Sequence, residues 1–336
     1  MSRRPLTITL AALLSLGLCA SLGACEGTVP KVSTDTSSAA AAPDLTEAQE
    51  KEIRAKLLAV IDECNDQKDP SKLSQAMVNP ELAIRTSELQ VAQKTGTLDP
   101  KTTIPNDITQ TVIPTDSGWP RTVFSITTTT DDQQSKRLLV FNQGDARENY
   151  KLWGVARLFQ GVSMPKFTVP SIGSQMGHED DSGLAMTPKE AVERYADVLT
   201  NGDKSKYASD FADDYFRQDL AQLSATVQQG MERNKGSQSQ TFTPVDGEIK
   251  IMRSAEGGDL VVAQINSVWT RTAGEGRESQ TASDAEKALF GDTKATSTIK
   301  VTYINVIAMY VPPAKSSEKV TAVGAERQAV KVEAVQ

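Results

Sequence analysis

The chain has 336 residues, enough for two domains of ordinary size or for one large domain with tails. Lys and Arg number 36 against 43 Asp and Glu, a net charge of −7, and hydrophobic residues make up 38 % of the chain with 5 % aromatic. The acidic balance argues against nucleic acid as the natural partner, because phosphate binding is driven by clustered Lys and Arg, and the composition suits a soluble folded protein with polar tails.

Residues 1–24 read as a removable leader. Arg3 and Arg4 form a basic start, and Leu6 to Leu22 follows without a charge. About 20 apolar residues are needed to span a membrane, and this run ends earlier, in Leu22-Gly23-Ala24-Cys25. The stretch resembles the lipobox of bacterial lipoproteins, with Leu22 at −3, Gly23 at −2, Ala24 at −1 and Cys25 as the first mature residue; Gly is a less usual choice at −2. The resemblance implies signal-peptidase recognition through Leu22, Gly23 and Ala24 and a diacylglyceryl thioether on Cys25. It implies in turn a lipid-anchored protein on the extracytoplasmic face of the cell membrane, with cleaved secretion as the alternative. Two acyl chains anchor stably where one is marginal. Cys19 follows Leu18, too large a residue for the −1 position. The mature chain then holds 34 basic against 43 acidic residues, a net charge of −9, and Cys64 is its one free thiol.

From Cys25 to Asp44 the chain is rich in Ser, Thr, Ala and Pro and cannot bury a core, so it reads as a flexible tether. As a coil it reaches roughly 25 Å. A first α+β domain is expected over 45–170. Thr46 and Gln49 form a capping box, and Ile53, Leu57, Val60, Ile61 and Cys64 make a helical stripe that places Cys64 in a core. Asn65 to Pro70 ends that helix, and shorter helical pieces follow to Gly96. Strands are expected at Thr122 to Thr130, Arg137 to Phe141 and Lys151 to Phe159, the last two joined by the turn Gln143-Gly144-Asp145.

Residues 171–186, with Gly, Ser and the acidic run Glu179-Asp180-Asp181, read as a linker open to proteolysis. A second α+β domain is expected over 187–336. Thr187-Pro188-Lys189-Glu190 opens its first helix, and strands follow at Glu248 to Met252, Leu260 to Trp269, Ile299 to Val311 and Val320 to Val332. Tyr303 to Val311 carries apolar residues on both alternating faces, as in a strand covered on both sides. The predicted class is therefore α+β, each domain with helices packed on a curved antiparallel sheet.

The halves can be superposed in sequence. Asp69-Pro70-Ser71-Lys72-Leu73 matches Asp203-Lys204-Ser205-Lys206-Tyr207 at an offset of 134, which Leu89 to Leu223 and Gly96 to Gly230 keep. Trp153-Gly154-Val155-Ala156-Arg157 matches Val323-Gly324-Ala325-Glu326-Arg327 at 170, so the second half carries about 36 extra residues, most of which Ala273 to Ser297 could hold. Internal duplication and chance similarity both account for matches this sparse. The element order of each half resembles nuclear transport factor-like, or cystatin-like, cones. Taken whole, with Gly118-Trp119-Pro120-Arg121 and Tyr195 to Gly202, the chain resembles uncharacterised envelope lipoproteins of actinobacteria, a resemblance that bears on localisation more than on chemistry.

Catalytic constellations are missing or misplaced. His178, the one histidine, lies in the linker, so a zinc site with several His ligands and a Ser-His-Asp triad are both unsupported. Ser297-Thr298-Ile299-Lys300 and Lys94-Thr95-Gly96 echo motifs of penicillin-binding enzymes but stand in the wrong order and on the wrong elements. Asp210, Asp213 and Asp214 at i, i+3 and i+4 would share a helix face, which reads as a solvated acidic surface. Gly274-Glu275-Gly276 lacks the spacing of a phosphate loop. No catalytic residue, metal site or cofactor is therefore assigned.

Any ligand site is expected inside a cone or between domains, lined in the first half by Phe124, Ile126 and Trp153 and in the second by Trp269 and Tyr303, on sheet faces turned toward helices; the alternative is that these side chains fill the core. The expected function is a non-catalytic binding or scaffold role in the cell envelope, toward an envelope protein or a neutral or cationic envelope component. The alternative is a carboxylate-dependent hydrolase acting on cell-wall glycan.

Overall fold

A computed structural model describes residues 42–116, 118–130 and 135–335. Leu22, Gly23, Ala24 and Cys25 lie outside the described residues. The elements run α1 (Glu47–Gln67), α2 (Glu81–Thr95), β1 (Ile108–Val112), β2 (Arg121–Thr127), β3 (Arg137–Gln143), β4 (Lys151–Leu158), α3 (Pro188–Asn201), α4 (Tyr215–Glu232), β5 (Ser237–Arg253), β6 (Asp259–Thr272), α5 (Asp284–Phe290), β7 (Thr298–Val311) and β8 (Thr321–Val335). The eight strands form one antiparallel sheet in the order β1-β2-β3-β4-β8-β7-β6-β5. The α+β class is as read from the sequence.

Local signals explain the helix starts. Thr46 and Gln49 make both bonds of the capping box on α1, and Thr187 and Glu190 make them on α3, with Pro188 in the first turn. Helix α1 closes at Lys68, whose backbone is left-handed, and buries Leu57, Leu58, Ile61 and Cys64. Burial pushes the Cys64 thiol pKa up, as suits a core residue rather than a nucleophile.

Each half repeats one order: helix, short 3-10 turns, helix, four antiparallel strands. Helix α1 ends at Gln67 and α3 at Asn201, α2 begins at Glu81 and α4 at Tyr215, and both pairs keep the offset of 134. Strands β4 and β8 begin at Lys151 and Thr321, at the offset of 170. The extra residues are divided between the β6–β7 connection, which contains α5, and the longer strands of the second half. A duplicated unit accounts for this agreement of element ends in a way that scattered residue matches alone do not.

The halves do not separate into the two domains expected over 45–170 and 187–336. Residues Ala41–Gln336 form one compact unit, for two physical reasons. First, β4 and β8 are hydrogen-bonded neighbours, so the sheet runs from one half into the other. Second, the sheet curls so that its inner faces pack together: Phe124, Leu138, Val140 and Trp153 meet Leu260, Val262, Val306 and Ala308 in one core cluster. Helix α1 covers the outer face of the first half, against Val123, Leu139 and Phe141. Helix α3 covers that of the second, where Ala191, Val192 and Tyr195 meet Val261, Ala263, Ile307 and Met309. Residues Tyr303 to Met309 of β7 are buried without interruption, as expected of a strand covered on both sides.

The presumed linker 171–186 is likewise stitched down. Met176 bridges Met252, Gly177 N–H donates to the Ile251 carbonyl at 3.1 Å, and the Gln175 carbonyl accepts from Arg253 N–H at 2.9 Å. Asp181 and Asp259 both pair with Arg253, at 2.5 and 2.9 Å. Burial is the largest influence on the Asp259 carboxyl and pushes its pKa up to about 6 despite Arg253.

The join between halves is narrow. Strands β4 and β8 pair only at Arg157 with Ala325 and Leu158 with Gly324. A Cβ on Gly324 would stand 2.7 Å from the Arg157 carbonyl oxygen, so the close approach needs glycine. Beyond these two pairs the strands part, and α2 packs against both. Its buried polar residues take over the edge groups that a longer ladder would have paired. Glu81 accepts from Val155 N–H at 3.1 Å on β4, and the Ser87 hydroxyl donates to the Ala329 carbonyl at 2.5 Å on β8. Arg85 donates to the Thr102 carbonyl at 2.9 Å and faces Glu88 at 3.2 Å, while Arg157 pairs with Glu326 at 2.9 Å. Helix α2 is thus a plug with a polar rim.

Candidate functional site

The equivalent helix in the second half is held differently. Asp214 caps α4, its carboxylate accepting from Arg217 N–H at 2.9 Å and pairing with the Arg217 guanidinium at 2.6 Å. The stretch before the cap is not helical, so Asp210, Asp213 and Asp214 do not share the helix face expected of them: Asp210 ends a 3-10 turn, Asp213 is exposed, and Asp214 is the buried cap. Along its 18 residues α4 buries only Phe216. Tyr215 and Leu223 are large apolar side chains left in the open.

Helix α4 is undercut on both sides. A cavity of about 750 Å³ lies between the end of α3, α4 and strands β5 and β6, with Leu220, Ser224, Gln238, Gln240 and Trp269 among its walls. A second, of about 530 Å³, lies toward the helix C-terminus, between Val227 and Met231 on one side and Arg271 and Ser279 on the other. Gln238 fixes the wall of the larger cavity. It accepts from the Trp269 indole N–H at 2.8 Å and donates to the Ser224 carbonyl at 2.8 Å, linking the sheet to α4. The amide nitrogen of Gln240 is buried with no hydrogen-bond partner, a polar group that a ligand could satisfy. Asp203, Asp213 and Asp214 line this cavity against the one cation Arg217, so its lining is acidic.

Trp269 therefore stands where a wall of the second-half cone was expected, and Tyr303 does not. Tyr303 is enclosed: its hydroxyl donates to Glu286 at 2.9 Å, the Arg327 guanidinium lies 3.4 Å from its ring centroid, and burial pushes its pKa up to about 12. Burial works against the Glu286 carboxylate, yet bonds from Arg271, the Ala282 N–H and Tyr303 hold its pKa below the ordinary range. This cluster ties the α5 insertion to the sheet. Sequence reading missed Glu286 as it missed α5, a seven-residue helix in a polar stretch whose one signal is the capping Ser283.

In the first half the lining residues face the other way. Phe124, Ile126 and Trp153 lie in the core where the two sheet faces meet, together with Ile84 of α2 and not under α1, because Ser125, not Phe124, faces α1, where it donates to Glu50 at 2.8 Å. Phe124 is sealed and fills the core. Ile126 borders a cavity of about 580 Å³ with Lys136, Phe159 and Met164. Trp153 donates to Glu248 at 2.7 Å and lies under Lys250, whose pKa burial lowers. His178 shares a recess of about 320 Å³ with Trp119 and Lys250.

Carboxyls with raised pKa values occur elsewhere. Burial pushes Glu81 up to about 8, against the pull of Arg85 and with a further push from Glu88 and Glu326, and burial raises Glu88 as well. Both are sealed around α2, and neither lines any of the cavities above. Among the described residues no cluster of three or more His, Cys, Asp or Glu could hold a metal ion, and no helix is long and apolar enough to cross a membrane.

No curated protein and no solved structure matches the chain. A family model described as a domain of unknown function, DUF8094, matches residues 41–334, nearly the whole of the compact unit, and the chain belongs to that family.

Proposed function

We propose that this chain is a lipid-anchored protein of the extracytoplasmic membrane face with a non-catalytic binding role in the cell envelope, and that the groove beneath α4 is where it binds. The observation that carries the binding role is the undercut helix: α4 is well capped, buries one residue, and roofs about 750 Å³ of unfilled space bordered by a Trp, by amide and hydroxyl side chains that include Ser224, Gln238 and Gln240, and by an excess of carboxylates. Such a lining favours a neutral or cationic component, or a protein segment of that charge, over an anionic polymer. The anchor rests on the basic start, the apolar run and Leu22-Gly23-Ala24-Cys25, with the tether read over 25–44 ending short of Asp44, which is held to the fold by its N–H on the Pro114 carbonyl at 2.8 Å and by Arg121 at 3.2 Å.

The hydrolase reading calls for two acids facing each other across an open cleft. The carboxyls with the highest pKa values, Glu81 and Glu88, lie sealed around α2, so that reading gains no support from them.

Two variants test the proposal. Cys25→Ser should release the protein to the medium or leave the precursor uncleaved, and unchanged processing with membrane retention would overturn the anchor. Ser224→Trp should fill the groove and abolish recovery of partners that the tagged wild type pulls down from solubilised membranes. Identical recovery by a folded Ser224→Trp protein would overturn the groove as the binding site.

A further inference from the structure

Strand β5 is an edge of the sheet, and among the described residues its backbone edge is met only toward the C-terminal end and at Phe242. At the C-terminal end, Gln175 to Gly177 lie alongside as a short added strand, using the Ile251 carbonyl and the Arg253 N–H. At the other end, Phe242 N–H turns away from β6 and donates to the Thr200 hydroxyl at 2.9 Å. Antiparallel pairs alternate between bonded and non-bonded, so Phe242 opposite Ser267 is a non-bonded pair. Gln240 opposite Trp269 and Gln238 opposite Arg271 follow in the same phase. Their N–H and carbonyl groups therefore point out from the sheet, and no described residue bonds them there. Natural edges are blunted by charge, Pro or a bulge. Ser237 to Thr243 has no charge and no Pro, and the Pro and the bulge of this strand come later, between Pro244 and Ile249.

We infer that the free end of β5, residues Ser237 to Thr241, takes up an extended, basic polypeptide segment as a ninth strand, which would stop at Phe242 where Thr200 already holds the edge. The inference deepens the proposal that the groove under α4 binds, because every second side chain of such a segment would enter that groove. The backbone of Gln238 and Gln240 supplies two donors and two acceptors to an extended chain, the mode of recognition known as strand addition. Charge selects its sign: Asp203, Asp213 and Asp214 flank the groove against the single cation Arg217, which Asp214 engages at 2.6 Å and Asp213 at 3.8 Å, so the lining keeps a net negative charge. Pairing with a second copy of this chain would bring two acidic groove walls together beside the uncharged edges, which like-charge repulsion disfavours.

The test is to pan a phage-displayed library of random dodecapeptides on the full chain in detergent and to measure the enriched peptides, made synthetically, by fluorescence anisotropy. Enriched sequences should alternate β-branched residues with Lys or Arg. Gln240→Pro, tolerated at an edge, should weaken their binding about tenfold or more, consistent with loss of a backbone bond and misfit of the strand. Methylating alternate backbone nitrogens of the peptide should abolish binding to the wild type, a measurement that holds even if the variant misfolds. Peptides that lose binding with Ser224→Trp but keep it with Gln240→Pro and with N-methylation would overturn strand addition and leave the groove reading standing. Peptides indifferent to every change would overturn both. Failure to enrich any sequence, enrichment of acidic sequences, or a dimer in sedimentation that Gln240→Pro dissolves would each overturn the inference.

Discussion

Leu89 of α2 and Leu223 of α4 stand at matching positions of the two halves, 134 residues apart, and Leu89 is fully buried while Leu223 is 39 % exposed. The second helix of each half is therefore packed to a different end. In the first half the second helix closes the gap where β4 and β8 part. In the second it roofs unfilled space, and that asymmetry is the physical basis for assigning binding to the second half.

Leu89→Ala should remove a fully packed side chain and cost about 2–5 kcal/mol of stability. Leu223→Ala, at a position already wet, should cost less than about 1 kcal/mol. Urea unfolding of both variants checks the contrast, and equal losses would mean that α4 is packed as tightly as α2.

Glu81 sets a pH dependence whose sign can be stated. Its folded pKa is raised from 4.5 to about 8, so folding takes up a proton between those values. Its contribution is least unfavourable below pH 4.5 and worsens as pH rises from there through 8, at a limiting slope of about 1.4 kcal/mol for each step of one in pH. Glu81→Gln keeps an oxygen for Val155 N–H and removes the titration. The variant should match or fall below the wild type in stability near pH 5 and exceed it near pH 9; parallel stability curves would show that Glu81 does not titrate in this range.

A chain nicked between residues 171 and 186 should stay together on size exclusion, because the inner faces and the β4–β8 join hold the halves. Gly324→Val should weaken that join by about 1–3 kcal/mol through overpacking against the Arg157 carbonyl. Fragments that elute separately from the wild type would show two independent domains.

Strands and capped helices were legible because their signals are local. Thr46 with Gln49, Thr187 with Glu190, and the apolar runs of β3, β4, β6 and β7 each specify an element without help from distant residues. The division into two domains was misread because a linker's composition does not say what it lies against, and Gln175 to Gly177 are held by a strand more than 70 residues away. The buried Glu81, Arg85, Ser87 and Glu88 look like a solvated helix face in sequence; only the parting of β4 from β8 gives them backbone partners. Trp269 borders the cavity under α4 while Phe124 and Trp153 lie in the core between sheet faces, a difference set by a register and a curl that the sequence does not display.

Amide hydrogen exchange on the full chain tests the central claim most directly, because helix α4 is argued to roof an unfilled groove while its counterpart α2 is locked between strands. Amides of Glu88 to Ala92 should exchange only on global opening, and those of Gln222 to Thr226 should exchange by local opening, faster by orders of magnitude. Equal, global protection of both helices would contradict the account, since a helix sealed to that degree leaves no groove to bind in.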